Sequence, residues 1–223
     1  AILAVVVMFW KKMFPFQFKD KKSSVIRKDI FSVWFKVVVA CIPGALVTIL
    51  FDDFIEAHLH TPAVIAATLI IYGAAFIFIE DWNKKRTPKT IRLSDLTYKT
   101  AFIIGLFQVL SIIPGTSRSG ATIIGALLIG VSRVVAAEFT FFLAVPVMFG
   151  LSAIKMIKFG LSFTGAELFI LILGMAVAFI VSVFVIKFLM SYIKKHDFKA
   201  FGWYRIVLGV LVLGYFVGKN FLG

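Results

Sequence analysis

The sequence predicts an all-α polytopic membrane protein, and three observations carry that prediction. Of its 223 residues, 61% are hydrophobic and only 16% charged, and the mean hydropathy is +1.02. Soluble domains of this length do not read that way. The formal charge of +13 gathers in short loops between apolar runs, which is the positive-inside pattern of a multi-pass protein rather than the stripe of a nucleic-acid binder. Finally, two apolar segments, 100–113 and 121–131, flank the run PGTSRSG at 114–120. Each falls short of the roughly 20 residues a spanning helix needs. They read as a discontinuous, re-entrant helix hairpin.

The elements follow in order. Residues 1–10 read as the tail of a first span, ending at the interfacial Trp10 before Lys11 and Lys12. With no starting Met and no basic leader, the chain is expected to lack an upstream part. The loop carrying Lys19, Lys21, Lys22, Arg27 and Lys28 is assigned to the cytoplasm. A second span is predicted over 33–51, kinked at Pro43-Gly44. The acidic segment 52–60 is read as an outer loop. A third span over 62–79 returns the chain to the basic stretch of Lys84, Lys85, Arg86, Lys89 and Arg92. The re-entrant hairpin, 100–133, starts and ends on that basic side, between Lys99 and Arg133. Further spans are predicted over 134–154, with Pro146 inside, 166–186, and 203–217. Lys187, Lys194, Lys195, Lys199 and Arg205 mark the last cytoplasmic segment. Only Lys155 and Lys158 run against the alternation.

An internal repeat is visible. The run LAVVVMF at 3–9 differs once from LAVPVMF at 143–149. Three spans precede the hairpin and three follow it, and an odd number per unit inverts the second unit relative to the first. The chain is therefore read as one integral membrane domain, 1–223, in two inverted repeats. Residues 1–99 are three spans of the first repeat, its own hairpin lying upstream. Residues 100–223 are the second repeat.

The break has the chemistry of an anion pocket. Pro114 ends the preceding helix, and Gly115 and Gly120 permit a sharp turn and close backbone approach. The helix beginning near Ser119 turns its free N–H groups and positive dipole end to the tip. Thr116, Ser117, Ser119 and Thr122 add hydroxyls, and Arg118 adds a charged fork suited to phosphate oxygens. An intramembrane Arg is costly and marks a functional site. The alternative is an Arg that caps a helix end in the interior. Gln108 either hydrogen-bonds the ligand or bridges helices. Glu138 pairs with Arg133 or Arg118, or sits at the interface. His58 and His60 beside Asp52, Asp53 and Glu56 read as solvated loop residues rather than a metal site. Lys36 is expected to snorkel to the inner surface, and Cys41, the one cysteine, to be a small core residue.

The run QVLSIIPGTSRSGAT from Gln108 to Thr122 resembles the signature of the undecaprenyl-pyrophosphate phosphatases, the bacitracin-resistance family. So do the runs at 130–133, 136–146 and 3–10, and the likeness extends over essentially the whole chain. The resemblance implies removal of the terminal phosphate from undecaprenyl diphosphate, which recycles the lipid carrier for peptidoglycan and other envelope polymers and contributes to bacitracin resistance. It implies a bacterial inner (plasma) membrane location, an inverted repeat, a site opening toward the outer face, and a divalent cation, Mg2+ or Ca2+. Undecaprenyl diphosphate and membrane lipid are the implied partners. A homodimer is left open, and nucleic acid is excluded. The family's phosphate-binding Arg maps to Arg118, with Ser117, Ser119 and Thr122 as neighbouring hydroxyls. Arg118 and Ser117 are the candidate catalytic residues. Gly115, Thr116, Ser119, Gly120, Thr122 and Gln108 are the candidate phosphate-binding residues. The family's other motif, a glutamate-rich segment followed by Pro, Ser, Ser, Thr, Gly and His, is absent from this sequence. The metal ligands and acid/base group are accordingly expected upstream, and no base for Ser117 is evident.

Two other classes compete. Inverted repeats and broken helices aimed at an anion also describe a secondary transporter or a flippase of a phosphorylated lipid. A structural scaffold leaves Arg118 without a reason.

Overall fold

The computed structural model describes residues 1–16, 27–159 and 164–222, apart from the side chains of 52–57, 158–159 and 220–222. The basic run at 19–22 thus lies outside the described residues. The described chain is helical: α1 (Ile2–Met8), α2 (Trp10–Met13), α3 (Lys28–Leu59), α4 (Pro62–Asn83), α5 (Tyr98–Val109), α6 (Arg118–Leu128), α7 (Arg133–Phe159), α8 (Gly165–Ile193) and α9 (Lys199–Leu222). Five of these, α3, α4, α7, α8 and α9, are long and apolar enough to cross a membrane. The predicted first span is present as α1, which is too short to cross on its own.

The helix starts are set locally. Thr61 caps α4, its hydroxyl oxygen accepting from Val64 N at 3.3 Å, with Pro62 in the first turn. Thr164 and Glu167 form a reciprocal capping box at α8. The expected outer loop at 52–60 is instead the last two turns of α3: helix formers continue to Leu59, and the first strong breaker is Pro62. Pro43 and Pro146 both lie inside continuous helices.

Several of the basic helix ends and loops meet on one face of the fold. Glu80 of α4, fully buried, accepts a forked pair of hydrogen bonds from Arg133 of α7 and a third from the backbone N–H of Phe198 at 3.1 Å. Asp81 pairs with Lys199 at 2.5 Å. The loop after α4 is stitched to the base of the hairpin by Lys89 N to Gly130 O and Ser132 N to Thr90 O. Lys36 is 5% exposed, and its ammonium donates to the Ser94 carbonyl. It is held inside the fold against that loop, not snorkelling to a surface as expected.

The hairpin α5–α6 occupies the middle. α5 packs on α3, with Gly105 against the Ala40 backbone, and α6 packs on α5, α7 and α4. The core collects Val37 and Ala40 of α3, Ile104 of α5, Ile124 of α6, and Phe139 and Phe142 of α7. α8 is exposed along most of its length. α4 and α9 run antiparallel in close backbone contact. A Cβ on Gly73 would lie 2.7 Å from the Gly202 carbonyl oxygen, and one on Gly209 would lie 2.9 Å from that of Ala66. Small residues at such crossings let helices approach closely in lipid.

Candidate functional site

The break folds as a tight tip. α5 ends at Val109, a 3-10 turn covers Leu110–Ile112, and Pro114 follows. Gly115 has φ +86, a left-handed conformation that favours glycine. A Cβ there would also strike the Thr68 hydroxyl and the Ile65 backbone of α4. Thr68 Oγ1 donates to the Pro114 carbonyl at 2.8 Å. From Thr68 to the end of α4 at Asn83 is about 22 Å of helix, and back to Pro62 about 9 Å. The tip therefore meets α4 well inside the length of that helix, nearer its Pro62 end than its Asn83 end.

α6 starts at Arg118, one residue before the sequence expectation, with Ser117 as its cap. Ser117 Oγ accepts from Gly120 N at 3.2 Å and lies 3.0 Å from Ser119 Oγ. The N–H groups of Arg118 and Ser119 have no intrahelical acceptor, as at any helix start, and the dipole favours an anion there. Gly120 does not take part in the turn. It sits in the first turn of α6, where a Cβ would lie 3.3 Å from Phe76.

A cavity of about 380 Å³ opens beside this helix start. Arg118, Ser119, Gln108, Thr122 and Thr140 line its polar end; residues of α1, α7 and α8, among them Val5, Leu143 and Val185, make the rest apolar. Among the described residues no Asp or Glu lines it. The acidic groups that could neutralise Arg118 are engaged elsewhere. Glu138 pairs with Lys12 at 2.5 Å, neither with Arg133 nor with Arg118. Glu80 holds Arg133. Arg118 thus faces a polar recess without a carboxylate of its own.

The other predicted residues divide. Gln108 is 5% exposed, lines the cavity, and leaves Oε1 without a hydrogen bond; only the missing side chain at Gly44 makes room for its amide. Thr116 is buried, with its side chain against Tyr72 of α4. Thr122, 1% exposed, is committed to the scaffold: its hydroxyl bonds back to the Arg118 and Ser119 carbonyls and meets Thr140 Oγ1 at 2.9 Å. Cys41 is a free, partly buried thiol.

Sequence reasoning missed Thr68, Thr140 and Tyr72, whose roles depend on which helix face meets the tip. It also misplaced Arg205. That residue lies in the second turn of the long apolar helix α9, not in a loop. An Arg inside the run GWYRIVLG carries the same signal that singled out Arg118.

Among the described residues no group of three His, Cys, Asp or Glu side chains could hold a metal ion. The side chains of 52–57 in the outer acidic segment are outside that statement. The cavity offers hydroxyls, an amide and a guanidinium, a donor set that suits an anion and not a divalent cation.

Residues 1–211 match the family described as bacitracin resistance protein BacA. An undecaprenyl-diphosphatase of Enterococcus faecalis is 75% identical over 213 residues, covering 96% of this chain and 77% of that protein. Those of Lachnoclostridium phytofermentans and Desulfitobacterium hafniense are 63% and 58% identical, covering 97% and 100% of this chain and 78% and 80% of theirs.

Proposed function

The chain belongs to the bacitracin resistance protein BacA family, and we propose from that premise that it hydrolyses undecaprenyl diphosphate to undecaprenyl phosphate and inorganic phosphate. This makes it a hydrolase of a phosphoric anhydride and a multi-pass membrane protein, located in our reading in the bacterial plasma membrane. The observation that supports the reading best is Arg118 at the start of α6, facing a recess that is polar at one end and apolar along the rest. A diphosphate joined to a hydrocarbon chain has that same division.

Phosphoryl transfer depends chiefly on positioning and on stabilising charge at the phosphoryl oxygens. In our reading Arg118 grips one phosphoryl group through its planar fork. The amides of Arg118 and Ser119, with the hydroxyls of Ser119 and Thr116, donate to the remaining oxygens. Gln108 donates from the side. Ser117 contributes as the cap that fixes the helix start, and its hydroxyl is next to the transferred group. Gly115 permits the left-handed turn that presents the helix start, Gly120 lets the first turn of α6 pack against Phe76, and Thr122 holds that turn rigid against α7. A divalent cation, Mg2+ or Ca2+, stays in the proposal on the resemblance alone. The described residues offer it no ligand set, so no step here runs through it.

The crossing of α4 and α9 supports two inverted repeats, 1–99 and 100–223. Pairing Gly73 with Gly209 and Ala66 with Gly202 exchanges the two close contacts, as a two-fold relation would.

The test is inorganic phosphate release from undecaprenyl diphosphate in detergent, with and without a divalent cation, for the protein carrying the expected upstream segment and for its Arg118→Ala variant. We expect release that is lost in a variant with an unchanged elution profile and melting temperature. Near-normal release by that variant would remove Arg118 from the site. No release by the unaltered protein would favour a carrier of the same lipid anion.

A further inference from the structure

We propose that Arg205 is a second phosphate-binding residue of this site, holding the phosphoryl group of the diphosphate that Arg118 does not. The inference rests on the phosphatase reading above and adds a residue from the opposite side of the tip. Arg118 approaches from the cavity bounded by α1, α7 and α8. Arg205 approaches from α9, which Gly202 and Gly209 close tightly onto α4 on either side of it.

Arg205 lies about 9 Å along α9 from Lys199, in the apolar part of a spanning helix. Its guanidinium carbon is 6.0 Å from the centroid of the Phe76 ring. That ring in turn touches the first turn of α6 at Gly120. Tyr72, one turn before Phe76, faces both Thr116 of the tip and Arg205. The guanidinium is thus held beside the tip through two neighbouring residues of α4.

Its bonding is incomplete. Nη1 is buried and has no hydrogen-bond partner. The other cations held near the membrane ends are satisfied: Lys12 by Glu138, Arg133 by Glu80, Lys199 by Asp81, Lys36 by the Ser94 carbonyl. Among the described residues Arg205 interacts with Tyr72, Tyr204 and Phe76, none of them a carboxylate. A contact with Phe76 at 6.0 Å stands at the outer limit of a cation–π interaction and supplies no acceptor for Nη1. The Thr116 hydroxyl, buried in the tip, meets Tyr72, the same residue that faces Arg205. Arg118 at the start of α6, and Arg205 one ring away from that helix across Phe76, both lack a carboxylate partner among the described residues. A diphosphate supplies oxygens on two phosphorus atoms and can engage a fork with each.

The experiment compares two inhibitors of undecaprenyl diphosphate hydrolysis, inorganic pyrophosphate and inorganic phosphate, in the protein and in Arg205→Lys and Arg205→Gln. A point charge on lysine cannot reproduce the fork. We expect both variants to weaken pyrophosphate inhibition by about tenfold or more while phosphate inhibition, held at Arg118, changes little. In parallel, the unaltered protein is treated with phenylglyoxal, which modifies guanidinium groups, with and without pyrophosphate, and the modified arginines are mapped by mass spectrometry. We expect pyrophosphate to shield Arg118 and Arg205 together. Shielding of Arg118 alone, or equal inhibition by pyrophosphate in folded variants and the unaltered protein, overturns the proposal. If the variants do not fold, the shielding pattern decides. If the unaltered protein releases no phosphate, the phosphatase reading falls, and the shielding pattern still decides whether Arg205 binds a diphosphate.

Discussion

The hydroxyl of Thr68 lies 2.8 Å from the carbonyl oxygen of Pro114, 46 residues away in sequence, and ties the tip of the broken hairpin to α4. Pro114 lies beyond the end of α5 and outside any helix, so its carbonyl has no helical donor, and the bond satisfies a group that lipid could not. Thr68→Val keeps the shape and removes the donor. We expect a loss of about 1 kcal/mol in stability and a larger fall in kcat than in KM, measured by thermal melting and phosphate release. An unchanged kcat would make the tether dispensable for positioning Arg118.

Glu80, fully buried, pairs with the partly exposed Arg133 and also holds Phe198 N. Removing one partner leaves a charge uncompensated, which costs about 3–5 kcal/mol, whereas replacing both with apolar residues can be close to neutral. Arg133→Leu should therefore lower the melting temperature well below that of the double variant Glu80→Leu with Arg133→Leu. Equal melting of the two would show that the pair does not act as a unit.

Gly105 rests on the backbone of Ala40. Gly105→Val has no room without moving α5 away from α3, and overpacking of this kind costs about 1–3 kcal/mol. The hairpin carries the site, so activity should fall along with melting temperature. Activity at the unaltered level would mean that α5 can shift without disturbing α6.

Topology can be read from accessibility. Single cysteines at His60 and Lys85, in a Cys41→Ala background, should react with a membrane-impermeant thiol reagent from opposite sides of sealed vesicles. Reaction of both from one side would break the alternation on which the hairpin's direction of entry depends.

Much of this fold is legible in the sequence because lipid imposes one simple demand, that long apolar runs be helical and that breaks be rare. Pro114, Gly115 and the hydroxyls around Arg118 stand out against that background. Partner choice does not. Glu138 sits five residues from Arg133 yet pairs with Lys12, and Arg133 reaches back to Glu80. Helix rotation and packing set these pairs, and a uniformly apolar stretch hides its rotation: α3, α4 and α5 have no strongly polar face to orient them. Arg205 was hidden differently. It follows a run of lysines, so charge alone grouped it with the loop, although Trp203 and the apolar residues after it already belong to the span. Thr122 looked like a ligand group because it is a hydroxyl in the motif, and only the position of Thr140 assigns it to the framework.

The Glu80 knot also orders the assembly of the chain. Synthesis runs from the N-terminus, so the carboxylate emerges 53 residues ahead of the guanidinium that neutralises it and 118 ahead of the backbone amide that completes its shell. Three residues from the end of α4, it can wait in the hydrated interface while the hairpin and α7 are made. Burial becomes favourable only once α9 arrives with Phe198. α9 is thus the helix that locks α4 against the segments made after it, and a nascent chain halted before α9 would keep this carboxylate wet and its helices loosely docked.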